Sequence, residues 1–328
     1  MLRFFVRRWF LLALAVVLAG GFAFPQRLDP ATQAMPRETI VAVVLFLMAL
    51  PLEIGAMGRA LSRPAPTLLA VLLSYGLLPP LAWLTARLLP VDLGTGLIIV
   101  ASVPCTLASA AVWTRRAGGN DAVAILVTML TNLSCFLVTP AWLQWLTGSH
   151  VQIEMGPLIG RLTALVVIPI VVAQLLRLYR PLGTWATRQR AALGVLARCG
   201  ILSMIFIGTV QSGVRLAAGG EASLITGSVW LLMMVCVLGL HTAVCLAGYA
   251  VARWIGFGYG DRVAVAFSGS QKTLMVGLDI GLQYYGGLTI LPMVVYHVGQ
   301  LLIDTLLADR WQREVPAVSD EAMPAADE

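Results

Sequence analysis

The chain has 328 residues, of which 59% are hydrophobic and only 12% charged, with a formal net charge of +6. Soluble domains carry about a quarter charged residues, so this balance and a mean hydropathy of +0.87 exclude a soluble or disordered protein. The cations are scattered between apolar blocks and form no basic face, which excludes nucleic acid as a partner. What remains is an all-α protein whose surroundings are the lipid bilayer.

A helix needs about 20 apolar residues to cross the hydrocarbon layer. In chain order, ten stretches qualify, at 9–25, 38–58, 66–89, 93–114, 121–146, 156–178, 197–216, 224–255, 263–284 and 287–308. The basic start (Arg3, Arg7, Arg8) and the apolar run behind it read as a retained first helix. With the N-terminus in the cytoplasm, sixteen of the twenty-one arginines fall on the cytoplasmic side. Both termini are therefore expected inside, and compact loops favour a bacterial inner membrane. Five of those arginines lie in 177–198, the joint between two halves. Six spans fall in 1–180, with the first repeat ending near 147, and the rest in 181–314. The acidic tail, 315–328, reads as disordered. Five spans per half reverse the second half in the membrane, so the expected plan is two inverted five-helix repeats in one integrated unit.

Spans four and nine echo each other. Val103-Pro104-Cys105-Thr106 and Phe267-Ser268-Gly269-Ser270-Gln271-Lys272-Thr273 are polar stretches inside apolar spans, with helix breakers at Pro104 and Gly269. Broken helix at membrane depth is tolerated only where protein or a cavity covers it. Two matching breaks point to a binding site near the midplane.

Lys272 is the only lysine in the chain and lies within a span. A lysine at the centre of a membrane helix costs about 2.5–3.5 kcal/mol on insertion scales, so it needs a compensating partner. It reads either as the ligand of an anionic substrate or as a fixed or titrating charge that replaces a bound cation. Ser268, Ser270, Gln271 and Thr273 surround it; Thr106, Ser109, Asn120, Thr128, Thr131 and Asn132 offer matching polar groups from the other half. Charge or proton partners are Glu53, Asp279 (two helical turns after Lys272), His297 and Gln300. His241 reads as a structural histidine, and Asp304 and Asp309 as interfacial. Five cysteines at irregular spacing give neither a disulfide framework nor a metal pair. Walker A, HExxH and GxSxG patterns are absent, so neither an enzyme nor an organic cofactor is expected.

Val103-Pro104-Cys105-Thr106, Ala117-Gly118-Gly119-Asn120, Thr131-Asn132 and Thr139-Pro140 resemble the bile acid:sodium symporter (BASS/SBF) superfamily. Gly269-Ser270-Gln271-Lys272-Thr273-Leu274, with Leu291-Pro292, Tyr296-His297 and Gln300-Leu301, looks like its SBF-like branch; the pattern covers roughly 35–310. The resemblance implies ten helices in panel and core domains, helices four and nine broken and crossing, and sodium-coupled uptake of an organic anion. It places sodium at Thr128 and Gln271. It also brings departures: Phe267 stands where sodium-coupled members carry an acid, Ala124 where they carry a serine, and Ser74 where helix three carries a glutamine. Lys272 then supplies the charge that sodium supplies elsewhere. The expected function is a secondary transporter, a symporter of a small organic anion coupled to sodium or protons through alternating access. The alternative is a non-transporting membrane regulator or receptor linked to calcium entry. Substrate identity and oligomeric state are not legible in the residues.

Overall fold

A computed structural model describes residues 2–53, 64–107, 109–147, 154–218 and 226–313. The acidic tail lies outside the described residues, as do residues 54–58 of the span expected at 38–58. Among the described residues there is no strand. Six helices are long and apolar enough to cross a membrane: α4 (Ala65–Ala86), α7 (Asp121–Thr147), α8 (Met155–Leu178), α10 (Arg190–Ala218), α11 (Gly227–Trp254) and α14 (Ile290–Arg313). Their sequences explain both their length and their ends. In α7, Asp121 sits in the first turn; in α11 and α14, Arg253, Arg310 and Arg313 sit in the last. Each charge opposes the local end of the helix dipole.

The other spans are short, bent or broken. At the N-terminus, α1 (Leu2–Ala23) meets α2 (Pro25–Gln33) at 110°, where Pro25 starts a new helix. Next, α3 runs Arg37–Ala49. The span expected at 93–114 is two helices, α5 (Val91–Ser102) and α6 (Ser109–Arg116), and the first ends where the chain turns extended at Val103. A short α9 (Arg180–Arg188) joins α8 to α10. The span expected at 263–284 is α12 (Tyr259–Ser270) and α13 (Leu274–Ile280), with Gln271–Thr273 extended between them.

Gly269 is not the breaker. It stays inside α12, where a Cβ would come within 3.2 Å of Leu73 Cβ, so its place is close packing against α4.

Two packing groups follow from the contacts. Helices α1, α2 and α3 pack on α10, and α8 packs on α3. On the other side, α12 packs against α4, α6, α7 and α11, while α14 packs against α5, α6 and α11. Helix α13 touches both groups, meeting α5 and α14 on one side and α3 and α10 on the other.

Candidate functional site

Backbone carbonyls and amides without helical partners must find others when buried. At the first break nearly every such group does. Ser102 O accepts from Thr139 Oγ1 (2.8 Å), Val103 O from Lys272 Nζ (2.9 Å), and Pro104 O from Thr273 N (2.9 Å). Cys105 O accepts from Asn132 Nδ2 (2.7 Å), Thr106 O from Thr128 Oγ1 (3.4 Å), and Cys105 N donates to Thr131 Oγ1 (3.2 Å). The polar residues of α7 thus serve as the missing helix for Val103–Thr106. At the second break, Gln300 holds Lys272 at both ends: its Oε1 accepts from Lys272 N (2.9 Å) and its Nε2 donates to Lys272 O (3.0 Å). Tyr296 OH donates to Ser270 O at 2.6 Å. The Thr273–Pro104 bond ties the two breaks directly to each other.

Lys272 is 1% exposed, and its ammonium faces three oxygens: Ser74 O (2.7 Å), Ser74 Oγ (3.0 Å) and Val103 O (2.9 Å). The Tyr75 ring lies 5.1 Å away, within cation–π range. The sequence of α4 explains why Ser74 O is free. A π turn over Leu72–Leu77 sends Leu78 N to Leu73 O, and the next residue, Pro79, has no N–H to offer. All three ammonium protons are therefore taken up by the protein, and Lys272 presents no free donor to a ligand.

One residue away lies a chain of buried polar groups. Gln271 Nε2 donates to Asp304 Oδ2 (2.5 Å), and Gln271 Oε1 accepts from Ser109 Oγ (2.8 Å). Asp304 Oδ1 pairs with His241 Nε2 at 2.9 Å, both side chains fully buried. His241 Nδ1 lies 3.4 Å from Ser270 O. Asp304 is not interfacial: it is the buried carboxylate at the crossing. His241 belongs to the same cluster.

A family model described as the SBF-like CPA transporter family matches residues 8–313. The chain belongs to this family. It is thus a member of a transporter family and not an enzyme. Relatives include "Sodium/bile acid cotransporter 7" of Xenopus tropicalis, 24% identical over 92% of this chain and 90% of that protein. Its Rattus norvegicus counterpart is 24% identical over 92% and 91%. A probable sodium/metabolite cotransporter of Arabidopsis thaliana chloroplasts is 26% identical over 86% and 68%.

In this family member the expected site residues divide. Thr106, Ser109, Thr128, Thr131, Asn132, Gln271, Lys272, Gln300 and, through its backbone, Thr273 meet at the crossing. Asn132 Oδ1 is buried there without a partner. His297 joins through Gln300 Nε2, 3.1 Å from its Nδ1. Ser268 and Ser270 turn their hydroxyls back to Ala264 O and Ala266 O within α12. Asn120 lies elsewhere: its Nδ2 donates to Asp261 Oδ1 (2.8 Å) and its N to Gly260 O (2.9 Å), tying the starts of α7 and α12 together. Along α12 that is roughly 16 Å from Gln271 at 1.5 Å per residue.

Asp279 is not the counter-ion of Lys272, because the chain is extended just before Leu274 and the lysine turns toward α4. Asp279 accepts from Arg161 Nε and Nη2 at 2.8 and 2.7 Å, and Arg161 also reaches Glu38 at 2.6 Å. Glu53 pairs with Arg177 (3.4 Å) and Thr187 (3.2 Å), away from the crossing.

Of the residues that the resemblance places at sodium, Thr128 donates its hydroxyl to Thr106 O, Gln271 Oε1 accepts from Ser109 Oγ, and Ala124 brings no side-chain oxygen. Phe267 is buried against the Trp311 ring at 5.1 Å. The ammonium of Lys272 stands on Ser74. His241, Asp304, Ser74 and Tyr75 are the members that sequence reasoning missed. For Asp304 a signal was present: His297, Gln300 and Asp304 are spaced three and four apart, on one helix face.

Proposed function

We propose that this protein is a secondary active transporter of a small organic anion, working by alternating access around the crossing of its two broken helices. The supporting observation is the Lys272 ammonium bound by Ser74 and Val103 at that crossing. It is an amine tethered by the protein where a mobile cation would otherwise be needed. In this reading the chain crosses the membrane ten times as two inverted repeats with both termini in the cytoplasm of a bacterium. The group holding the crossing (α4, α5/α6, α7, α11, α12/α13, α14) is the core domain, and α1, α3, α8 and α10 form the panel against which it rocks.

The relatives are named for sodium, which keeps sodium as a coupling ion, and the buried Asp304–His241 pair beside the crossing adds the proton as a second candidate. Asp304 is a buried carboxylate with His241 on one oxygen and Gln271 on the other, and no water is needed to complete the chain to Ser109. A proton gained by this pair changes the charge beside the crossing by one unit. In the low-dielectric interior that biases one packing of the two groups over the other.

The test is uptake of a panel of organic anions into proteoliposomes under an imposed proton or sodium gradient. Accumulation driven by the proton gradient and lost in Asp304→Asn is the expected result. Accumulation under neither gradient overturns the transporter reading; accumulation under sodium alone overturns proton coupling.

A further inference from the structure

Arg87 directly follows Ala86, the last residue of α4. Its guanidinium lies 3.8 Å over the ring of Trp83, one helical turn earlier. A stacked guanidinium commits its face to the indole and keeps its N–H donors, which lie in its plane, for other acceptors. Among the described residues Arg87 has no hydrogen bond and no ion pair.

Trp83 and Arg87 line a groove of about 350 Å³ between the end of α4, the start of α5 and the end of α7. Thr95 and Thr147 bring hydroxyls to it, and Ile98 and Leu146 bring apolar surface. The Thr95 hydroxyl has no partner among the described residues, whereas Thr147 Oγ1 is held by Leu143 O (2.6 Å) and Tyr285 OH (3.0 Å). Gly94 also lines the groove; a Cβ there would come within 2.8 Å of Ala86 O, so α5 meets the last turn of α4 with no side chain between them. No carboxylate lines the groove: Asp92, the nearest acid along the chain, lies in the first turn of α5 but outside the lining.

We propose that this groove is a phospholipid site, with the phosphate of an anionic headgroup on Arg87 and Thr95 and the acyl chains in the bilayer. The planar fork of arginine suits phosphate oxygens. Its place at the end of an apolar span favours a lipid over a free anion. Leu84, Leu88 and Val91 near it expose their side chains, as does Trp145 near the end of α7. Tryptophan and arginine at a span's end mark the depth of the headgroups, and basic pockets between membrane helices bind anionic ones. The volume is at the lower end for ligand pockets, which suits a headgroup whose chains lie outside. With no carboxylate to meet an ammonium, phosphatidylglycerol fits better than phosphatidylcholine. Thr95 is about 12 Å along α5 from the break at Val103, so the site stands or falls apart from the transport reading.

The test uses the full chain in dodecyl maltoside, titrated separately with dioleoyl phosphatidylglycerol, dioleoyl phosphatidylcholine and glycerol 3-phosphate. The readout is the melting temperature, which a ligand of the folded state raises by mass action. Phosphatidylglycerol should raise it by several degrees, phosphatidylcholine by less than half as much, and glycerol 3-phosphate not at all at the same concentrations. Arg87→Gln should need about tenfold more phosphatidylglycerol for the same rise, the loss expected from one charge-assisted hydrogen bond. Arg180→Gln, outside the groove, should respond as the wild type does. If Arg87→Gln folds poorly, Thr95→Phe, which fills the groove and keeps the arginine, should lose the response instead.

Equal responses from the wild type, Arg87→Gln and Thr95→Phe overturn the site, as does a wild type that phosphatidylglycerol does not stabilise. A rise with phosphatidylcholine as large as that with phosphatidylglycerol overturns the anionic headgroup. A matching rise with glycerol 3-phosphate alone makes the groove a site for soluble anions and overturns the lipid.

Discussion

At the scale of single residues the decisive pair is Lys272 and Asp304. Removing the ammonium by Lys272→Ala leaves Ser74 O, Ser74 Oγ and Val103 O buried without a donor. Each orphaned buried group costs about 1–3 kcal/mol, so we expect a loss of about 2–4 kcal/mol, read as a fall in melting temperature of several degrees. Lys272→Arg should not restore stability, since a planar fork does not match three oxygens gathered around one nitrogen. Asp304→Asn keeps the shape of the side chain but cannot accept from both His241 Nε2 and Gln271 Nε2. The variant should fold with a lowered melting temperature. Its anion flux should no longer respond to an imposed proton gradient, whereas that of the wild type should.

At the scale of elements, one ion cluster joins the two packing groups: Arg161 on α8 holds Asp279 on α13 and Glu38 on α3. Asp279 is 4% exposed, so removing Arg161 strands a nearly buried carboxylate. Asp279→Asn leaves Arg161 with Glu38 as its remaining partner and should cost about 1–3 kcal/mol. The double variant Arg161→Gln/Asp279→Asn should recover part of that loss, a coupling that a double-mutant cycle of melting temperatures measures. Additive losses would show that the pair carries no coupling. In the transport reading this cluster must open for α13 to part from α8, so the double variant should also exchange faster between its states.

The breaks themselves were legible in the sequence, because Pro104 and a polar run containing the only lysine stand out inside apolar spans. Their boundaries were not. Gly269 fits a continuous helix once it packs on Leu73, and the break moved to Gln271–Thr273, where Gln300 and Pro104 O replace helical partners. Asp304 was misread for the same reason. Position near a span's end suggested an interface, while its burial depends on His241 and Gln271, which come from two other helices. Asn120 failed in the opposite direction: its neighbourhood in the chain resembled the site, but α12 places its partner, Asp261, far from the crossing.

At the scale of the whole molecule, the crossing is held by the chain's own groups, with the Lys272 ammonium on Ser74 and Val103 and the Asp304 carboxylate between His241 and Gln271. The measurement that tests this most directly is a melting titration of purified protein in which sodium replaces choline at constant ionic strength. An ion that binds only the folded state raises the melting temperature by mass action. We expect no sodium-specific rise in the wild type and a rise in Lys272→Ala, whose emptied cradle of three oxygens can accept a free cation. A sodium-specific rise in the wild type, undiminished or unchanged in Lys272→Ala, would contradict the account.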